Sequence, residues 1–169
     1  MHEIEIKLAY ENKEDLISKL KELGASPKKN EEIIDTYFSK DSKTLKDAKE
    51  FIRIREKGGK AELTFKGEIE SEGDIWKRVE LNSDVSNPEA IEQMFSAMKF
   101  NKIRKNRTLR EYWQAGNIEA VIVQIVEPVE IDFAEIEGPS EEAVDDFVKN
   151  LGDCVSPIRQ DHFKELDKH

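Results

Sequence analysis

The chain has 169 residues, 38% of them charged and 37% hydrophobic, with a formal net charge of −10. Its length suits one domain with a buried core, its apolar periodicity argues against disorder, and its acidity argues against non-specific nucleic-acid or membrane binding. A lone cysteine, Cys154, excludes an intrachain disulfide, and the lack of a long apolar run or signal-peptide pattern makes a cytoplasmic protein the expectation.

Residues 2–10 alternate, with Glu3, Glu5 and Lys7 on one face and Ile4, Ile6 and Leu8 on the other, which predicts a strand. Residues 13–23 predict a helix with Leu16, Ile17, Leu20 and Leu23 on one stripe and Gly24 as its stop. Residues 31–39 predict a strand ending in Thr36, Tyr37 and Phe38, and the polar stretch from Lys40 to Lys49 a loop or short helix. Residues 50–57 and 60–67 predict a hairpin around Gly58 and Gly59, followed by a strand at 75–82. Asn87 and Pro88 open a helix whose stripe is Ile91, Met94, Phe95 and Met98. Residues 102–113 and 117–126 predict paired strands turning at Ala115, Gly116 and Asn117, and residues 130–137 another strand. Ser140 caps a helix with Glu141 and Glu142 in its first turn and Ala143, Val144, Phe147, Val148 and Leu151 on its stripe. A short C-terminal helix is expected from Gln160 to Leu166. The whole, residues 1–169, is expected to be one α+β domain. Its roughly eight strands would form one antiparallel sheet closed into a barrel, with helices outside against Ile4, Ile6 and Leu8.

Charged residues recur in pairs on the strand faces. Arg53 and Arg55 are two apart, as are Thr64 and Lys66. Arg78, Glu80 and Asn82 share a face; so do Lys105 and Arg107, with Arg110 nearby after a change of parity; so do Glu135 and Glu137. Any one pair fits a solvated strand face. Together, in a closed barrel, they would put acids and bases in one bore. Mg²⁺ and Mn²⁺ prefer carboxylate oxygens, and phosphate oxygens prefer Arg forks and Lys ammonium groups. A bore holding both suits a metal-bound polyphosphate and phosphoryl transfer.

The motifs and their order carry a resemblance. Glu3-Ile4-Glu5-Ile6-Lys7 resembles the ExExK signature of the CYTH family, the triphosphate tunnel metalloenzymes. Phe51-Ile52-Arg53-Ile54-Arg55 is similar to the family's LRIR, Leu63-Thr64-Phe65-Lys66-Gly67 to its LTxKG, and Arg78-Val79-Glu80 to the start of its RxExE. Lys105-Asn106-Arg107 resembles KxR, Phe133-Ala134-Glu135-Ile136-Glu137-Gly138 resembles FxEIEG, and His162-Phe163-Lys164-Glu165-Leu166 resembles the closing SYxEL. The resemblance implies a closed eight-stranded antiparallel β-barrel, a triphosphate tunnel with helices packed outside. It implies that Glu3, Glu5, Glu135 and Glu137 hold Mg²⁺ or Mn²⁺, with Glu80 joining them or orienting water. It implies that Lys7, Arg53, Arg55, Lys66, Arg78, Lys105 and Arg107 bind the triphosphate. Glu3, Glu5, Lys7 and Glu80 are then the candidate catalytic set.

Two positions depart from the pattern: Asn82 stands where RxExE ends in an acid, and Gln124 aligns with an Asp on the strand before EIE. The expected activity is metal-dependent hydrolysis of a linear triphosphate: inorganic triphosphate, thiamine triphosphate or a nucleoside triphosphate. The alternatives are a class IV adenylyl cyclase making cyclic AMP and pyrophosphate, and a triphosphate-binding module with little turnover. The expected partner is a small triphosphate, with no nucleic acid and no membrane, in a monomer or homodimer. His2, His162 and His169 read as surface residues, Cys154 as packed, Trp76 and Trp113 as core or rim, and Lys28 and Lys29 as a solvated turn.

Overall fold

The structure, a computed structural model, describes residues 1–159 and 161–169. In chain order it runs β1 (His2–Tyr10), α1 (Lys13–Glu22), β2 (Ser26–Ser39), β3 (Phe51–Lys57), β4 (Lys60–Lys66), β5 (Ile75–Val85), α2 (Pro88–Ala97), β6 (Asn101–Ala115), β7 (Ile118–Glu127), β8 (Ile131–Glu137), α3 (Glu141–Leu151) and β9 (Val155–Pro157). The sheet order is β5-β4-β3-β2-β6-β7-β8-β1, and β1 also pairs with β5, so eight antiparallel strands close on themselves. Closure leaves no long sheet edge exposed. The short β9 adds to the far end of β1, opposite Leu8, Ala9 and Tyr10.

Strand directions sort the connections to two ends of the barrel. One, the hairpin end, carries the tight turns: Lys57 faces Lys60 across Gly58 and Gly59, whose φ of 53° and 74° are the positive values that a two-residue hairpin needs. The other, the loop end, carries residues 40–50, residues 67–74 and the C-terminal segment.

Each helix is capped as its sequence dictates. The side chains of Asn12, Asn87 and Ser140 accept from the backbone N–H of Asp15, Ala90 and Ala143 at 3.0, 3.0 and 3.1 Å. Leu16 and Leu20 of α1 and Val144 and Leu151 of α3 pack with Ile6, Leu8, Ala120, Ile122, Ala134 and Ile136 on the outside of the barrel. Burying each such side chain contributes about 1.5–3 kcal/mol. Phe95 of α2 packs with Phe38 and Ile54 over another part of the outer surface, its ring 5.1 Å from that of Phe38. Gly138 lies where β8 meets α3. A Cβ there would stand 2.6 Å from Ile118 Cδ1 and 3.0 Å from Val144 Cγ2, so any side chain would have to displace both.

Two expectations are corrected. β2 begins at Ser26, so Lys28 and Lys29 are exposed strand residues rather than a turn. Gln160, the expected start of a C-terminal helix, lies outside the described residues. From 161 onward the chain makes turns and a 3-10 helix, Leu166–Lys168, rather than an α-helix. Ile158, Phe163 and Leu166 pack against Tyr112, Val121, Val123, Ile125 and Phe133 inside the barrel wall near the loop end. No helix among the described residues is long and apolar enough to cross a membrane.

Candidate active site

On β1, β7 and β8 the outer face is apolar and covered by α1 and α3, so the alternate residues turn into the bore. There they line a cavity of about 730 Å³. β1 contributes Glu3, Glu5 and Lys7, β3 contributes Arg53 and Arg55, β4 contributes Lys66, β5 contributes Arg78 and Glu80, and β8 contributes Glu135 and Glu137. The structure brings all of these sequence-predicted residues together.

Lys105 and Arg107 do not belong to this group. Lys105 is exposed on the outer face, and Arg107 points outward to Glu32 and Glu127 at 3.2 and 3.1 Å. The inward residues of β6 are their neighbours Arg104, Asn106, Thr108 and Arg110. Trp113, another odd-numbered β6 residue, is buried in the outer core, consistent with odd positions on this strand sharing the outer face. Gln124 is likewise outside and exposed, paired with the exposed Asp132. The acid that β7 places in the bore is Glu119, cross-strand from Glu137. Asp35 is a second acid missed in the sequence, hidden between apolar and aromatic neighbours.

Opposite charges interlock along the bore. Lys66 Nζ donates to both carboxylate oxygens of Glu3 at 2.7 Å and lies 3.2 Å from Glu80. Lys7 donates to Glu135 at 2.8 Å and lies 3.4 Å from Glu5, while Arg110 reaches the other Glu135 oxygen at 3.0 Å. Arg55 grips both oxygens of Asp35 at 2.7 Å, a bidentate fork. Asn82 stays near the site in a supporting position: it donates to Glu80 at 3.0 Å and accepts from Thr64 at 2.7 Å. The pairing is incomplete. Among the described residues, Arg53 Nε, Arg78 Nε, Arg110 Nε, Glu5 Oε1 and Glu80 Oε2 are buried without a hydrogen-bond partner. Buried polar groups normally make hydrogen bonds, so donors and acceptors held only by longer-range ion pairs around one cavity suit a ligand site.

A family model described as the CYTH domain matches residues 1–165. The chain belongs to the CYTH domain family. This CYTH domain is 28% identical over 123 residues to a protein of Methanocaldococcus jannaschii provisionally named an adenylate cyclase, across 72% of this chain and 69% of that protein. The PH1012 protein of Pyrococcus horikoshii OT3 is similar in structure, with a TM-score of 0.76 at 26% identity, over 97% of this chain and 98% of that one. A Hippeastrum protein, described as a provisional adenylyl cyclase with a dominant triphosphatase activity, shares the fold. Its TM-score is 0.65 at 15% identity, over 98% of this chain and 95% of that one.

The donor chemistry of this CYTH domain fits a hard divalent cation, although among the described residues no three His, Cys, Asp or Glu side chains converge on one point. Glu3 and Glu135 face lysine ammonium groups instead. What fits is the crowding of acids toward the hairpin end. Burial and the Glu5 charge push Glu3 up to about 7, against the pull of Lys66. Partial burial and the charges of Glu3, Glu5 and Glu119 push Glu137 up to about 7. Burial opposes the ionisation of Glu80 too, yet Lys66 and the Asn82 hydrogen bond hold it down at about 2. Burial likewise opposes ionisation of Glu135, but Arg110 and Lys7 outweigh it and hold that carboxyl well below its usual range.

These shifts set a pH dependence. Glu3 and Glu137 bind protons more tightly folded than unfolded, so their contribution to stability is complete below about 4.5 and is lost as pH rises toward about 7. Glu80 and Glu135 act oppositely: their contribution is complete above about 4.5 and is lost as pH falls below it. In excess chelator the melting temperature should therefore peak near pH 4.5–5 and decline on both sides. A melting temperature that climbs steadily from pH 4.5 to 7 would break the account of the acidic cluster.

Proposed function

We propose that this protein hydrolyses a linear triphosphate inside the tunnel, with Mg²⁺ or Mn²⁺ as cofactor and a small molecule as its partner. The observation that carries this reading is that Arg53, Arg78 and Arg110, whose buried guanidinium Nε donors make no hydrogen bond, line a cavity that also holds a cluster of acids. Phosphate oxygens are the acceptors such forks suit best. The names of the relatives, an adenylate cyclase and a triphosphatase, lie in the same chemical class.

In this reading Lys7, Arg53, Arg55, Lys66, Arg78 and Arg110 bind the non-bridging oxygens and hold the chain extended along the bore. Lys66 exchanges its grip on Glu3 for a phosphate oxygen, which frees that carboxylate. Glu3, Glu5, Glu80, Glu135 and Glu137, with Glu119 added by its place in the bore, would hold the metal. When bound, the metal supplies charge neutralisation on the phosphates and acidifies a water. Asn82 keeps Glu80 oriented. Fixed cations along the chain lower the barrier by positioning and by stabilising the charge that spreads over the phosphoryl oxygens.

The test is a product assay on the purified protein with inorganic triphosphate, thiamine triphosphate and ATP, each with Mg²⁺, Mn²⁺ or excess chelator. Metal-dependent orthophosphate release without cyclic nucleotide is the expected result. Pyrophosphate with cyclic AMP would replace the hydrolase by a cyclase, and binding without turnover would leave a triphosphate-binding module.

A further inference from the structure

The barrel closes through β1 and β5, but at the hairpin end that closure stops short. β1 pairs with β5 only from Ile75 to Val79, and the Glu80 N–H adds one bond to the Met1 carbonyl at 3.0 Å. Residues 81–85 of β5 run on past β1, paired with β4 alone among the described residues. Backbone groups along an antiparallel strand point to its two sides by turns. The carbonyls of Lys77 and Val79 accept from Glu70 and Gly67, in the segment that follows β4, at 2.7 and 2.9 Å, while the Glu80 N–H turns to β1. Odd residues of β5 thus bond on the β4 side. Asn82 and Asp84 turn their N–H and C=O groups to an open edge, where the Asp84 carbonyl takes a long 3.4 Å bond from Ser83 Oγ. Residues 81–84 are exposed.

The outer face beside this edge is apolar. Leu81 is 57% exposed, and Met94 and Met98 of α2 are 55% and 57% exposed. Phe95 faces the barrel, and Glu92 reaches Lys102 of β6 at 3.2 Å. At helical spacing Met94 and Met98 occupy the flank opposite Glu92, so they turn away from β6 and toward β4 and β5, the side of Leu81.

We propose that this edge is a homodimer interface, in which β5 of one copy pairs antiparallel with β5 of a second about a two-fold axis at Ser83. Unpaired strand edges are templates for another strand, and a two-fold contact needs a surface that complements itself. The axis stands perpendicular to the doubled sheet and leaves each face on its own side, so it passes beside a residue that meets its own copy. Centred on Asn82, the pairing sets Glu80 against Asp84; centred on Asp84, it sets that carboxylate against itself. Like charges directly across a ladder are unfavourable. Centred on Ser83, it sets Leu81 against Val85 and Asn82 against Asp84. No like charges meet, and the free N–H and C=O groups of Asn82 and Asp84 face their counterparts on the second copy. The register that the charges allow is the one that the open backbone groups require. The interface includes Asn82, which donates to Glu80 at 3.0 Å, so pairing steadies the lip of the bore.

The experiment is sedimentation equilibrium of the whole chain from roughly 1 to 500 µM, a range that reaches weak, short interfaces. It is repeated on Asp84→Pro and Leu81→Lys, with backbone amide exchange measured at both ends of the range. The wild type should reach twice the chain mass, and the N–H groups of Asn82 and Asp84 should exchange more slowly as concentration rises. Each variant should weaken the dimer by about ten-fold or more. Asp84→Pro removes an N–H that bonds nothing within the chain, at an edge position where proline is accepted, and Leu81→Lys sets a charge against the partner's Val85. Both should melt, at the lowest concentration, within a few degrees of the wild type. Should Asp84→Pro melt early, Leu81→Lys and the exchange of the two amides decide. A wild type that stays monomeric throughout overturns the proposal. So does a dimer that both variants keep while Asn82 and Asp84 exchange freely, since the copies then meet elsewhere.

Discussion

The Asp35→Ala protein is expected to melt roughly 6–20 °C below the wild type. Asp35 is 1% exposed and takes both donors of the Arg55 fork at 2.7 Å, with Arg53 4.0 Å away. Burial opposes its ionisation, but Arg55, then Arg53 and Arg110, hold its carboxyl below the usual range. Removing it leaves guanidinium groups together in a half-dry wall with no counter-charge. Breaking a buried pair from one side costs about 3–5 kcal/mol, and in a chain of this size each kcal/mol moves the melting temperature by about 2–4 °C. The same vacancy is an anion site, so millimolar inorganic triphosphate should recover part of the loss by binding the folded state alone. Differential scanning calorimetry with and without the anion checks both halves. A melting temperature equal to that of the wild type would mean that Arg55 is neutralised elsewhere.

The second large effect concerns chemistry. Glu5→Gln should lower metal-dependent kcat/KM by about 100-fold or more, because a metal centre contributes several kcal/mol of transition-state stabilisation and each 1.36 kcal/mol is ten-fold. The fold should survive, since Lys7 keeps Glu135 at 2.8 Å. The variant also has a signature that a simple packing defect lacks. Glu5 is, after burial, the main cause that lifts Glu3 to about 7. Without its charge Glu3 titrates closer to its ordinary range, and the decline in stability between pH 4.5 and 7 becomes shallower. Undiminished turnover at saturating Mg²⁺ or Mn²⁺ would take Glu5 out of the site.

How far the site could be read in advance depended on the strand. On β1 everything was legible, because Ile4, Ile6 and Leu8 declare the covered face and leave Glu3, Glu5 and Lys7 to the bore. On β6 the alternation offers two polar faces, Lys105 and Arg107 on one and Arg104, Asn106 and Arg110 on the other, and composition does not choose between them. Pairing does: Asn106 stands opposite Asp35, and Lys105 opposite Thr36. Residues directly across a ladder share a face. The same logic separates Glu119 from Gln124. Glu119 is paired with Glu137, and Gln124 with Asp132. Counting back along the chain to align an acid fails here, because the hairpin register, not sequence distance, decides which β7 residues reach the bore. The helices were legible because their caps are local, whereas the C-terminal segment was not, since its Phe163 and Leu166 are held by strands far away in the chain.

Gly138 ends the FxEIEG motif directly after Glu137, yet its role is clearance. With Ile118 Cδ1 and Val144 Cγ2 already at contact distance from where a side chain would begin, any substitution must push these packed side chains aside, next to Glu137 in the chain. A random-mutagenesis screen scored on turnover alone would therefore rank position 138 beside the acids, though the position carries no side chain that could donate, accept or ligate. Loss of function there would report disturbed packing between helix and barrel, and only a melting curve alongside the activity would tell the two kinds of inactive clone apart.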